Sequence, residues 1–374
     1  MKCEDLWKIF KKNDLKHFTG VPDSTFSGWM SYLSNNQDND LENIIACNEC
    51  EAVAIAMGYH LTTDKISVVY MQNAGEGKIV NPITSLCDPE VYSIPILLMI
   101  GWRGEPGVKD EPQHKKMGRI TLSLLDTLEI PYKIMSTEIK DVEKDIVELK
   151  ELSIKENRPV AIIIKKGLIE EPEKKKIAEK DFLFTRERAI EIISENIEQD
   201  AIIISTTGKT SRELFEYRTK KSEKTRDFYT VGGMGCSASI SLGIALKKPS
   251  KMIYVFDGDG AVIMQLGALC TIGHYKPENL KHIIFDNGAY DSTGGQPTVS
   301  NTTDFEKIAL ACGYNYAKTI ENELELFREI KNQQNLQGPI MLIVKVRKGA
   351  RKDLGRPTTT PVENKEIFKD FIRK

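Results

Sequence analysis

The chain has 374 residues, 40% hydrophobic and 28% charged, a balance that excludes a disordered or fibrous protein and suggests two domains of ordinary size. A formal net charge of -2 gives no global pull toward nucleic acid or an anionic membrane surface, so an anionic partner needs a local basic cluster. Seven scattered cysteines, odd in number, suit reduced thiols in a cytoplasmic protein.

Residues 1–13 mix charged and apolar side chains and read as a surface helix rather than a signal peptide. Ile- and Val-rich runs at 66–71, 94–100 and 160–165 read as strands covered on both faces, with a helix over 49–61. The longest apolar run, 94–100, is far too short to span a bilayer. Residues 165–181 combine Pro, Gly and dense charge with little to bury. A linker over 168–181 then separates a domain at 1–167 from one at 182–374; the alternative is a solvated helix inside one larger domain. Beyond it, strands are expected at 201–205, 251–257, 281–286 and 339–346, and helices at 185–197, 237–246 and 304–311. This alternation predicts an α/β protein with two doubly wound parallel-sheet domains.

The strongest motif is Asp257-Gly258-Asp259-Gly260, directly after one predicted strand, followed by Asp286-Asn287-Gly288 directly after the next. In open α/β sheets the ligand crevice lies beyond the C-terminal strand ends. A carboxylate and an amide oxygen there suit two sites of an octahedral Mg²⁺, with phosphate, a backbone carbonyl and water as the others. Glycines beside Asp259 let the backbone approach a diphosphate. Thr206-Thr207-Gly208-Lys209-Thr210 opens a helical pattern, where backbone N–H groups cradle phosphate. It is not a Walker A loop, which needs Gly where Ile203 stands.

Together these segments resemble the thiamine diphosphate-dependent enzymes. The resemblance implies metal ligation by Asp259, Asn287 and the Ala289 carbonyl, and cofactor contacts from Thr207, Gly208, Gly260 and Ala261. Asp286 departs from the family, which has Asn there. Val231-Gly232-Gly233-Met234-Gly235 looks like the segment that bends the cofactor, with Gly232 on the aminopyrimidine and Met234 beneath the thiazolium. Taken alone it is equally a Gly-rich turn feeding the helix at 237–246.

Asn48-Glu49 through Gly58-Tyr59 says by itself only that a helix is capped, with Glu49 in the first turn where its dipole stabilises a carboxylate. Beside the other motifs it resembles the element with the activating glutamate, and Glu49 takes that position. Its carboxylate would favour the tautomer of the aminopyrimidine that takes up the thiazolium proton. Glu51 is expected to be a solvated or helix-start charge, and Cys47 and Cys50 to be ordinary cysteines. The resemblance also implies at least a homodimer with active sites at the subunit interface. Familiar relatives insert a third, middle domain where this chain has only the charged linker, which narrows the resemblance.

The loop Gly101–His114 follows a strand and carries Arg103, Lys109, Gln113 and His114, suited to a doubly charged anionic head group, although such loops are as often only solvated turns. With Gly20-Val21-Pro22-Asp23-Ser24, Met71-Gln72-Asn73 and Asp353-Leu354-Gly355-Arg356-Pro357, it resembles the phosphonopyruvate decarboxylase family. That family implies a small 2-oxo acid, 3-phosphonopyruvate, losing CO₂ in phosphonate biosynthesis. Arg103 and Lys109 would hold the phosphonate, with Ser24, Asn73 and Gln113 around the substrate and Arg351 or Arg356 assisting. His114 and Asp23 are the candidate proton carriers. The rivals are a sulfopyruvate decarboxylase, whose frequent division into two chains favours phosphonate for a fused chain, a carboligase, and a non-catalytic cofactor binder. The basic residues are dispersed among acidic ones, which speaks against a nucleic-acid module.

Overall fold

The computed structural model describes residues 1–171, 184–223 and 226–373. The chain divides into two compact units, residues 1–175 with 293–296, and residues 176–292 with 297–374.

The first unit is built on strands β1 (His17–Gly20), β2 (Glu42–Ile45), β3 (Ser67–Gln72), β4 (Ile96–Trp102), β5 (Tyr132–Ile134) and β6 (Val160–Lys165). They form one sheet in the order β2-β1-β3-β4-β6-β5, with every pairing parallel. All of β4 is buried, because helices cover both faces of the sheet. Alternate residues serve opposite layers. Val68, Tyr70, Leu97, Met99 and Ile162 pack with Leu6, Phe10 and Trp29, whereas Val69, Met71, Leu98, Ile100 and Ile163 pack with Ala52, Val53 and Ile79. Each fully buried aliphatic side chain of this kind contributes about 1.5–3 kcal/mol. The helix Cys3–Lys12 is amphipathic and seats Leu6, Trp7 and Phe10 in the first layer, where Phe10 meets Phe18 edge-on at 5.3 Å.

The expected linker does not begin at 168. The Met1 amino group donates to the Leu168 carbonyl at 2.8 Å, Glu170 N–H donates to the Met1 carbonyl at 2.9 Å, and Ile169 is buried in the first core. Its apolar pair Leu168-Ile169 had a layer to join, which the charge density around it concealed. Residues 172–181 of that linker lie outside the described residues.

The second unit repeats the plan with β7 (Ile202–Ser205), β8 (Phe228–Tyr229), β9 (Ile253–Gly258) and β10 (Leu280–Asp286), then β13 (Tyr316–Ile320) and β14 (Ile340–Lys345). Two-residue strands β11 (Ala289–Tyr290) and β12 (Gln296–Pro297) stand apart from this sheet. The sheet order is β13-β14-β10-β9-β7-β8, again with every pairing parallel. Its core joins Ile203, Tyr254, Phe256, Ile283, Phe285 and Leu342 to Ile190, Ile193, Leu214 and Leu326 from the covering helices. Both units are thus the doubly wound α/β layers expected from the pattern. Among the described residues no helix is long and apolar enough to cross a membrane.

Candidate active site

In a parallel sheet all C-terminal strand ends share one edge, so the order β2-β1-β3-β4 sets four loops side by side in the first unit. These loops carry Glu49, Asp23, Asn73 and Arg103. The helix Glu49–Thr63 is started by Asn48, whose side chain accepts the Glu51 N–H at 3.0 Å, while the Glu51 carboxylate accepts the Cys47 N–H at 2.8 Å. Glu51 is therefore a helix-start charge. Glu49 sits in the first turn, only 6% exposed. Lys78 Nζ lies 3.0 Å from its Oε2 as an ion pair, yet no well-formed hydrogen bond reaches that oxygen. Gly75 closes over the same side chain: a Cβ there would stand 2.7 Å from Glu49 Cγ, so only glycine lets the carboxylate keep its place.

Asp23 is fully buried and accepts the Gln72 amide at 2.6 Å and the Thr25 N–H at 3.1 Å; burial raises its pKa. A side chain at Gly101 would collide with it, the added Cβ falling 2.2 Å from Asp23 Oδ2.

Arg103, expected to hold the phosphonate, already has partners within its own unit. It forks Asp110 through Nε at 2.8 Å and Nη2 at 2.5 Å, and its Nη1 donates to Ser24 Oγ at 2.9 Å. Asn73, expected at the substrate, is completely buried and ties this loop down instead. Both its N–H bonds are taken, by the Arg103 carbonyl at 2.8 Å and Thr121 Oγ1 at 2.9 Å, and its oxygen accepts the Arg103 N–H. It has no donor left for a ligand. His114 is pushed down to about 4 by burial and by Arg103, so it is neutral near pH 7 and suited to accept a proton rather than give one. Lys109 and Gln113 are exposed. Arg351, in the second unit, is already paired with Glu187, Glu216 and Asp353, and Arg356 is exposed.

In the second unit β8, β7, β9 and β10 are consecutive neighbours, and their ends carry the remaining motifs. After β7, Thr207 and Gly208 open the helix Lys209–Lys220, with Gly208 at φ +99°, a conformation that favours glycine. After β9, Asp259 and Gly260 begin the helix Asp259–Met264, which also holds Ala261. The segment after β8 folds toward it: a Cβ on Gly260 would meet Met234 Cε at 3.4 Å, and one on Gly235 would meet the Ala261 carbonyl at 2.9 Å. Gly232 and Met234 are half-buried there.

Asp259 is 3% exposed and bonded by the Thr298 hydroxyl. Burial and the neighbouring Asp286 push its pKa up to about 7, a carboxylate pair short of positive charge. After β10, Asn287 Oδ1 accepts the Ala289 N–H at 2.9 Å and its amide donates to Asp291 at 2.7 Å. That leaves Oδ1 a second lone pair. Among the described residues no three His, Cys, Asp or Glu side chains converge on a metal position. A cation here would take mixed oxygen ligands, as Mg²⁺ does: the Asp259 carboxylate, the Asn287 amide oxygen and the Ala289 carbonyl. The charge deficit at Asp259 fits that ion, and the open lone pair of Glu49 Oε2 fits a ring-nitrogen donor.

Residues 3–123 match the thiamine pyrophosphate enzyme N-terminal TPP binding domain, and residues 206–344 the corresponding C-terminal TPP binding domain. The chain is 34% identical over 375 residues to phosphonopyruvate decarboxylase of Streptomyces viridochromogenes, covering 95% of this chain and 92% of that one. This chain belongs to the phosphonopyruvate decarboxylase family of thiamine pyrophosphate enzymes. The Streptomyces hygroscopicus phosphonopyruvate decarboxylase is 32% identical over 378 residues, covering 96% and 92%. A sulfopyruvate decarboxylase of Methanosarcina acetivorans is 29% identical over 361 residues, covering 89% of each chain. A sulfonate-directed relative thus also exists as one chain of this length, and fusion alone does not distinguish phosphonate from sulfonate.

The thiamine diphosphate motifs pointed to Glu49, Asp259 and Asn287 but not to the groups beside them. Gly75, Lys78, Thr298 and Lys345 carry no local signature, and a Gly or Lys in a turn is too common to single out. The Asp286 departure has a structural answer: its carboxylate accepts Ser300 Oγ at 2.8 Å and the Gly288 N–H at 3.0 Å, and pairs with Lys345.

Proposed function

We propose that this chain converts 3-phosphonopyruvate to phosphonoacetaldehyde and CO₂, with thiamine diphosphate held through Mg²⁺, as a homo-oligomer of at least two copies. The observation that carries the substrate is the 34% identity to a phosphonopyruvate decarboxylase along 95% of the chain. When bound, the cofactor supplies an electron sink for the carbanion left by CO₂.

The chain's own residues do the rest. Asp259, Asn287 and the Ala289 carbonyl hold the metal, and backbone at Thr207, Gly208, Gly232, Gly260 and Ala261 receives the cofactor with Met234 supporting its ring. Glu49, paired with Lys78, would accept the hydrogen bond that activates the cofactor. Arg103 has two of its five N–H bonds left after Asp110 and Ser24, and these, with Lys109, Ser24 and Gln113, face an anionic head group. Of the two candidate proton carriers, Asp23 is the better donor, since burial favours its protonated form while His114 is neutral. The upstream formation of a C–P bond is unfavourable, and irreversible loss of CO₂ draws it forward.

A second reading, sulfopyruvate decarboxylation, is favoured by the full-length sulfopyruvate decarboxylase relative. An aldehyde-coupled assay with phosphonopyruvate, sulfopyruvate and pyruvate separates them. Preference for phosphonopyruvate is expected. Preference for sulfopyruvate keeps the chemistry and overturns the substrate, whereas no aldehyde with any of them moves a carboligase to the front.

A further inference from the structure

Two thiols far apart in sequence meet at the surface of the second unit. Cys270 is exposed, on the helix Gly267–Tyr275, and Cys312 is half-buried, the last residue of the helix Phe305–Cys312; their sulfurs are 3.3 Å apart. The two helices cross so tightly that a Cβ on Gly273 would stand 1.8 Å from the Cys312 carbonyl oxygen. The second helix ends at Gly313, φ +103°, whose own Cβ would meet the Gly273 carbonyl at 2.9 Å. Backbone contact at this crossing therefore fixes the separation of the sulfurs, and neither helix can slide without breaking it.

We propose that Cys270 and Cys312 are a reversible redox pair, oxidised to an intrachain disulfide by exchange with a small-molecule disulfide such as oxidised glutathione. Cys270 is the attacking thiol. Burial and the adjacent Cys270 push Cys312 up to about 11, so Cys312 keeps its proton, and its S–H donates a hydrogen bond to the Cys270 sulfur when that is a thiolate. The Cys270 thiolate attacks one sulfur of the reagent, forming a mixed disulfide and releasing one thiolate. Cys312 then loses its proton and attacks Cys270 Sγ, forming the internal bond and releasing the second thiolate. Both protons pass to the released thiolates. Two protein thiols are oxidised by two electrons and one reagent disulfide is reduced to two thiols.

The bond closes residues 270–312 into a loop that contains β10, Asn287, Ala289 and Thr298. The staple thus ties the helix Gly267–Tyr275 to the helix Phe305–Cys312, on either side in sequence of the segment bearing Asn287 and Ala289. The remaining cysteines have no such partner among the described residues: Cys3 and Cys87 are buried, and Cys50 donates to the Lys78 carbonyl.

The test is incubation of the full-length protein with oxidised glutathione, followed by intact mass and non-reducing peptide mapping. The expected product loses two hydrogens, shows one cross-linked peptide joining Cys270 to Cys312, and melts about 5 °C higher, an increase that dithiothreitol reverses. Cys270→Ser should abolish the cross-link and the shift in melting temperature. Mixed disulfides that persist on either thiol, a bond between other cysteines, or cross-linked dimers instead of the internal bond would each overturn the proposal. The mapping is read on the wild-type chain, so it decides the matter even if a variant fails to fold.

Discussion

Lys345 of β14 stands in register with Asp286 of β10, and its Nζ lies 2.5 Å from Asp286 Oδ2. Asp286 is 2% exposed and raises the pKa of Asp259 nearby, so Lys345 is the cation that lets a second carboxylate stand beside Asp259 at the sheet edge. Lys345→Met should destabilise the protein by about 2–3 kcal/mol, because it strands a buried charge. The double change Lys345→Met with Asp286→Asn should recover most of that loss. Urea unfolding of the four proteins of the cycle gives the coupling, and a double variant as weak as the single would sink this account.

Glu49 and Gly75 should separate chemistry from binding. Glu49→Ala is expected to abolish turnover while Mg²⁺-dependent cofactor binding stays close to normal. Gly75→Ala pushes a methyl group into Glu49 Cγ and should lower kcat roughly 10- to 100-fold through misplacement of the carboxylate. Calorimetric titration of the cofactor beside steady-state rates checks both, and near-normal turnover in Glu49→Ala would remove Glu49 from its role.

Glu76 is a pH-dependent burden on the fold. It is 1% exposed, neither carboxyl oxygen has a hydrogen-bond partner among the described residues, and burial pushes its pKa up to about 8 from an ordinary 4.5. Between those values the native state binds more protons than the unfolded chain, so this group makes stability fall as pH rises from 4.5 to 8. Glu76→Gln cannot titrate. Its melting temperature should match the wild type near pH 4.5 and exceed it progressively up to pH 8, by the equivalent of ~1–3 kcal/mol at pH 7.5. A constant offset across that range would assign the effect to packing rather than to ionisation.

Arg103 should respond to shape as well as charge. Arg103→Lys keeps a cation but cannot fork Asp110 and reach Ser24 together, so the loop loses its anchor. KM for the anionic substrate should rise about tenfold or more, with a smaller change in kcat. Initial-rate measurements over a range of substrate concentrations check this; an unchanged KM would mean that the loop does not position substrate.

The doubly wound layers were legible because their central strands are buried on both faces and read as unbroken Ile, Val and Leu runs. Strands β1, β5, β8 and β13 lack that mark: they are short or carry polar residues, and only pairing to a longer neighbour makes them strands. The proposed metal motif stood out for a similar reason, since Asp259 and Asn287 each follow a buried run within a few residues. The sequence could not show how much hydrogen-bonding capacity Asn73 and Arg103 have left, because that depends on every group around them. Sequence shows that Arg103 has a charge but not that Asp110 and Ser24 already occupy three of its N–H bonds.

Local pattern thus determined the strand–helix alternation and the turns that carry Glu49, Asp259 and Asn287, and the resemblance of those motifs to known enzymes pointed to the thiamine diphosphate family. Those features rest on neighbours within a turn or a strand, where residue type and spacing act directly. Tertiary structure decided which loops lie side by side, which charges are compensated and which backbones touch. Lys345 opposite Asp286, Gly75 over Glu49 and Cys270 against Cys312 all join segments brought together by sheet order, register and helix crossing. Such contacts follow from how whole layers bury their apolar faces, and no short stretch of sequence carries that information.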